Sequence, residues 1–256
     1  MAAGVIEYSL STMTDEHRAS IEELRTAAKE SGVVMESLYE KDATLYRYLI
    51  ARQFRVSDSL DMLKASSAWR EAERPEQYLD PELLSALPTF EEEKRRKGVW
   101  LPHVDKKGRP VVVGFGARHR KNAPSAEEKL HHAVGLLVAA EMRCGDFDGF
   151  TIICDLKGLS WSNVDYPFTK QMISVLESHF PERLGAFFVV NSGWLFTAIW
   201  KVIRPWLDPR TAAKVQVLSG NGKNELLEVI DKEHLPKCYG GELDTEELFA
   251  PLMKDK

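Results

Sequence analysis

The chain has 256 residues, of which 44% are hydrophobic and 29% charged, with a formal net charge of -5 at pH 7. That length holds one large domain or two modest ones, and the composition is that of an ordinary soluble protein. The slight acidic excess argues against nucleic acid as the leading partner, and any attraction to an anionic membrane has to come from a local patch.

The first residues contain no apolar signal core, since Glu7, Asp15 and Glu16 interrupt it, and Ala2 stands where myristoylation needs glycine. Residues 15 to 70 read as helices. Ser20 and Glu23 fit a capping box or lie inside a helix begun earlier. Tyr46, Leu49, Ile50 and Phe54 recur at helical spacing, and Ser57 is placed to cap a second helix carrying Leu60, Leu63 and Trp69. These apolar faces need a surface to pack on, so the helical region is not expected to stand alone. Pro75, Pro81 and Pro88 punctuate the next stretch, and the mixed-sign run Glu91 to Lys97 reads as a solvated face.

From Val99 the texture changes. Asp105-Lys-Lys-Gly108 is a turn signal between Val99-Trp-Leu and Pro110-Val-Val-Val113, which predicts a hairpin. Further strands are expected at Phe150 to Asp155, Ala186 to Asn191 and Lys214 to Leu218. Between them lie helical segments at Ala126 to Arg143, Tyr166 to His179 and Trp194 to Trp206. Such alternation implies an α/β fold with a largely parallel sheet. The longest nearly apolar run, Ala133 to Ala140, falls far short of the roughly 20 residues that a membrane span needs.

Signatures of catalysis are missing from the sequence. Gly114-Phe-Gly116 lacks the third glycine of a dinucleotide fingerprint, and Ser219-Gly-Asn-Gly-Lys223 departs from a P-loop on both sides. No nucleophile elbow occurs. His131 and His132 are about 100° apart around a helix and cannot readily share a metal. Cys144, Cys154 and Cys238 form no CxxC pair and read as reduced thiols. No catalytic residue, no metal and no cofactor is expected.

The unusual segment is Trp194 to Trp206. Thr197, Lys201 and Arg204 make one narrow polar stripe, and the rest of the cylinder is Trp, Leu, Phe, Ile and Val. Periodicity alone allows a core helix. The alternative is a lid over a greasy cavity, with Trp194, Phe196, Ile199, Trp200 and Ile203 as its gating face. Its tryptophans suit a membrane interface.

Several strings resemble those of CRAL-TRIO proteins. Tyr46-Arg-Tyr-Leu-Ile-Ala-Arg-Gln-Phe54 resembles that family's "LLRFLRARKF", and Asp155-Leu-Lys-Gly158 its "DLKG". Phe180-Pro-Glu-Arg-Leu-Gly185 resembles "YPERLG", and Val190-Asn-Ser-Gly-Trp-Leu-Phe196 resembles "INAPWLF". Pro205 to Lys214 resembles "KPFLDPVTVSK", and Leu235 to Gly241 resembles "LPxxYGG". They follow family order over most of the chain.

The resemblance implies an α/β fold. A helical N-terminal region, residues 1–89, would pack on an α/β lipid-binding domain, residues 90–256, whose mixed, largely parallel sheet floors a lipid pocket under a helical lid. It implies a carrier of one hydrophobic molecule and no enzyme. The expected protein is a cytoplasmic monomer that meets a membrane surface transiently and binds no nucleic acid. Carried over residue by residue, the phosphatidylinositol headgroup positions are Arg52, Glu182, Thr211 and Lys214.

Two departures matter. Gln53 replaces a second basic residue. Phe150, Ile152 and Leu176 stand where hydroxyls would meet a choline headgroup, at a cost of about 1–3 kcal/mol per unsatisfied group. The pocket so lined disfavours phosphatidylcholine and suits phosphatidylinositol or an apolar ligand of sterol, tocopherol or retinoid type. The alternative function is a docking module that uses the same fold without transfer. Arg118 to Lys121 is the best basic patch.

Overall fold

The computed structural model describes residues 13–34, 38–79, 98–121, 126–144 and 149–244. Pro81, Pro88, the run Glu91 to Lys97 and the 89/90 boundary lie outside the described residues. Helix α1, Asp15–Glu30, starts behind Thr14, whose hydroxyl accepts from the His17 backbone N–H while the His17 ring accepts from that of Thr14. Ser20 and Glu23 are therefore interior; the sequence hid this cap because histidine fills the place usually held by Glu or Gln.

Helices α2, Asp42–Ala51, and α3, Val56–Glu73, follow. Ser57 does not cap α3, which begins after Arg55. Ile21, Leu24, Leu45, Tyr46, Leu49 and Leu63 are each at most 1% exposed and form a core among these three helices. Most of the apolar face thus packs within the helical region. Trp69 is the exception: it stacks on His179 with centroids 4.1 Å apart and meets Phe180 edge-on.

A buried polar group holds the same seam. Arg70 pairs with Glu141 at 2.7 Å, and Arg183 reaches that carboxylate at 3.4 Å. Burial alone would push the Glu141 carboxyl up, but the two guanidiniums outweigh it and hold it below the usual range.

Strands β1, Gly98–Val104, and β2, Pro110–Phe115, pair antiparallel around the expected turn. The Asp105 carboxylate accepts from the backbone N–H groups of Lys107 and Arg109, the Arg109 guanidinium and the Thr151 hydroxyl, which fixes the hairpin to the next strand. Strands β3, Phe150–Asp155, β4, Leu184–Val190, and β5, Val215–Val217, then add in chain order, each parallel to the last.

The crossovers are α4, Ala126–Arg143; α5, Tyr166–His179; and α6, Trp194–Ile203, with the short α7, Pro209–Ala213. Helix α8, Lys223–Val229, follows β5. Right-handed crossovers that always step the same way put their helices on one face of the sheet.

The packing agrees. Val111, Val113, Ile153, Ala186 and Phe188 pack with Leu226, Ile230, Leu235 and Tyr239 from α8 and the segment after it. Ile152 and Phe187 point the other way, toward Val134, Leu137 and Val138 of α4 and Val175 of α5. Both faces are covered, which is why these strands read as continuous apolar runs.

Candidate functional site

Arg52 follows the last turn of α2, Glu182 lies in the turn between α5 and β4, Thr211 is in α7, and Lys214 caps α7. These four positions converge on one cavity of about 180 Å³, which Leu176 also lines. Glu182 holds a left-handed backbone at φ 56°. For a residue with a Cβ this costs roughly 1–3 kcal/mol and persists only where the surrounding structure holds it.

Lys214 Nζ lies 3.2 Å from one Glu182 oxygen, and the Arg210 guanidinium 3.3 Å from the other. Arg210 lines the same cavity and also donates to the carbonyls of Ile50 at 2.8 Å and Ala51 at 3.2 Å. It thereby ties α7 to the end of α2. The Asp208 carboxylate caps α7, and the Asp208 N–H donates to Glu177 at 2.8 Å. Burial pushes the Glu177 carboxyl up, with that hydrogen bond acting against it.

A second, more open cavity of about 460 Å³ shares Arg52, Asp208 and Arg210 with the first and is also lined by Gln53, Arg55 and Asp58. Gln53 therefore faces this outer space, where its side-chain oxygen accepts from Arg55 at 3.2 Å.

The face of the sheet that packs on α4 and α5 is less completely buried than the other. Ile152, Cys154 and Phe187 are half-buried although they sit on inner strands. Thr151, Ile153 and Phe188 on the opposite face are at most 2% exposed. Burial pushes the Cys154 thiol up to about 12, so it stays protonated and inert. Phe150, expected to line a pocket, is 1% exposed and packs with Val134, Leu137 and Phe180.

Helix α6 has two distinct sides. Leu195 and Ile199 are each 7% exposed, while Trp194 is 76% exposed and Thr197 and Lys201 are in solvent. Phe196 and Trp200 stack on each other, half-buried, with centroids 6.0 Å apart, and Ile203 is also half-buried. The expected gating face thus divides: Ile199 points in, Trp194 points out, and the others flank. Trp206 meets Tyr166 of α5 edge-on at 5.8 Å and anchors the far end.

Residues 94–241 match the CRAL/TRIO domain, and residues 20–65 match the CRAL/TRIO N-terminal domain. The chain belongs to the CRAL/TRIO family. It is 29% identical over 266 residues to the SEC14 cytosolic factor of Eremothecium gossypii, covering 96% of this chain and 83% of that one. It is 28% identical over 211 residues to the phosphatidylinositol transfer protein CSR1 of the same organism, covering 78% of this chain and 47% of that one. The crystal structure of Sfh5 superposes with a TM-score of 0.68 at 19% identity, over 89% of this chain and 88% of the other, and shows the shared fold. CRAL/TRIO proteins of the Sec14 type are lipid-binding and lipid-transfer proteins.

Several CRAL/TRIO strings in this chain have a structural task. Asp155 accepts from the Tyr239 hydroxyl at 2.8 Å, the Asn191 amide at 2.9 Å and the Lys157 backbone N–H at 2.9 Å. Three separate motifs thus meet at one buried carboxylate and latch the ends of β3 and β4 to the C-terminal segment. Gly241 completes this latch, because a Cβ there would come within 1.9 Å of the Leu235 carbonyl oxygen.

Sequence reasoning missed Arg210. The signal was present, since arginine stands where the family string "DPVTVSK" has valine. The basic loop also needs correction. His119 pairs with Asp165 at 3.0 Å, and Arg118 lies over the Phe115 ring at 4.3 Å, which leaves Arg120 and Lys121 as its exposed cations. Lys129, itself 4% exposed, donates to Asp165 and to the Lys121 carbonyl, pinning the loop. Despite burial, these donors hold the Asp165 carboxyl down at about 2. Among the described residues no helix is long and apolar enough to cross a membrane.

Proposed function

We propose that the protein holds one lipid between the helix-bearing sheet face and α6, with a phosphate-bearing headgroup in the cavity of Arg52, Arg210, Thr211 and Lys214. It carries or presents that lipid between membranes. The convergence of these residues, from two distant parts of the chain, on one cavity that the half-buried Leu176 also lines supports this reading. A lipid exchanges one apolar surrounding for another, so the task needs enclosure and no reactive group.

Within the cavity Glu182 pairs with Lys214 and Arg210. A phosphodiester takes over those cations, with Arg offering a fork and Lys a point charge. Glu182 is then released to accept from sugar hydroxyls. Phosphatidylinositol fits this chemistry, and the Ile152 side of the pocket suits an apolar second ligand better than a choline headgroup.

Lipids extracted from the purified protein are identified by mass spectrometry, and transfer of labelled phosphatidylinositol, phosphatidylcholine and a sterol or tocopherol is compared. A stoichiometric lipid is expected, with phosphatidylinositol moved faster than phosphatidylcholine. Lys214→Ala should cut phosphatidylinositol transfer about ten- to hundredfold, as loss of a charged hydrogen bond implies, and spare the apolar ligand. An empty, well-folded protein, or robust phosphatidylcholine transfer without phosphatidylinositol transfer, overturns the reading.

A further inference from the structure

Strands β2 to β5 are parallel, so the segments after β2, β3 and β4 all emerge at one edge of the sheet. Hydrogen bonds join them into one surface. The Asn163 amide donates to the carbonyls of Ala117 at 2.9 Å and His119 at 3.0 Å. Leu156 N–H donates to the Val190 carbonyl at 3.0 Å, and Asn191 N–H to that of Gly220 beyond β5 at 2.5 Å.

This edge carries exposed tryptophan. Trp161, in the turn after β3, is 57% exposed, and Trp194, at the start of α6, is 76% exposed. Val217, at the end of β5, is 50% exposed. A tryptophan in water that packs on nothing is costly, whereas an indole at the boundary of headgroups and acyl chains satisfies both its apolar body and its N–H.

Charge points to the same partner. Residues 116–121, 156–164 and 191–207 hold six basic residues and no Asp or Glu, in a chain with 39 acidic and 34 basic residues. Arg120, Lys121, Lys157, Lys201 and Arg204 are exposed. The segments that bear the exposed indoles are thus basic in an otherwise acidic chain, and the carboxylates of Asp155 and Asp165 beside them are taken up in internal hydrogen bonds. A soluble acidic partner would match the charge but gives no reason for indoles on two separate segments. Both features fit a bilayer with anionic headgroups.

We infer that the carboxyl edge of the sheet, from the Trp161 turn to the outer side of α6, docks on anionic membrane surfaces, with Trp161 as an anchor independent of the gate helix. The inference rests on the lipid-carrier reading and extends it: the lid would open against a surface held at two points.

The test uses the full chain and vesicles of phosphatidylcholine with and without phosphatidylserine. Binding is read by co-sedimentation, and indole insertion by quenching with brominated lipid. Trp161→Ala should weaken binding to the anionic vesicles about tenfold, as loss of one buried apolar side chain implies. Lys157→Glu with Arg120→Glu should weaken it at least about thirtyfold at low salt and flatten its salt dependence. Both variants should keep the wild-type circular dichroism spectrum and lipid content. Unchanged binding by Trp161→Ala, or no binding by the wild type to either vesicle, overturns the inference. The lipid found in the purified protein is read separately, so the carrier reading stands or falls on its own measurement.

Discussion

Replacing Arg210 by valine, the residue of the family string, separates the two tasks assigned to this arginine. Its two hydrogen bonds to the Ile50 and Ala51 carbonyls contribute about 1 kcal/mol each. The ion pairs to Glu182 and Asp208, on a side chain 40% exposed, contribute less than about 1 kcal/mol each after solvent screening. The expected loss is about 2 kcal/mol, or about 4–8 °C in Tm for a chain of this size. The effect on lipid should be larger. If Arg210 supplies the second cation that Gln53 does not, its loss removes a charged contact to phosphate, about ten- to hundredfold in affinity. Gln53→Lys should restore little of this, because position 53 faces the outer cavity and a lysine there would meet Arg55. The assay is phosphatidylinositol transfer beside uptake of an apolar ligand, with Tm measured on the same samples. Phosphatidylinositol transfer at the wild-type rate, with the Tm loss present, would show that Arg210 is a strut between α7 and α2 and no part of the headgroup site.

Burial, and then the nearby Arg70, hold His179 down at about 4 against an ordinary value near 6.5. The unfolded chain therefore takes up a proton that the folded chain refuses, and stability falls as pH drops from about 6.5 to 4, by at most about 3 kcal/mol. His179→Phe keeps the stack on Trp69, removes a buried ring nitrogen that has no hydrogen-bond partner among the described residues, and should flatten that part of the pH–stability curve; an unchanged curve assigns the acid sensitivity elsewhere. Arg70→Ala leaves Glu141 buried with the longer Arg183 contact and the more remote Arg47, and should cost about 3–5 kcal/mol in denaturant unfolding; a loss under about 1 kcal/mol would show that water reaches the seam. On α6, Ile199→Asp should lower the amount of lipid retained on purification, whereas Trp194→Asp should leave it unchanged and weaken vesicle binding; the opposite pattern would mean that the helix is turned the other way.

Much of this protein is legible in its sequence because the signals are local. Hydrophobic period set α4 and α5 at their observed bounds, and the Asp105 to Gly108 turn placed the β1–β2 hairpin. The order of the motifs indicated the family, and the polar stripe Thr197, Lys201 on α6 is the side that meets water. Where the signal was local but atypical it misled: a histidine completed the Thr14 cap, and Ser57 offered a cap that α3 does not use. Contacts made by side chains far apart in sequence were decided by tertiary structure alone. The length of the Phe150 side chain says nothing of whether it faces a ligand space or fills a core, and packing against α4 put it in the core. Arg118 and His119 look like surface charge until Phe115 and Asp165 are brought against them. Arg210 is a lone arginine in the sequence, and it becomes part of a site because the fold sets the end of α2 beside α7. Local pattern follows from the backbone's own periodicity, whereas the composition of a site depends on which crossover places which helix beside which strand end, a long-range geometry that no short window of sequence contains.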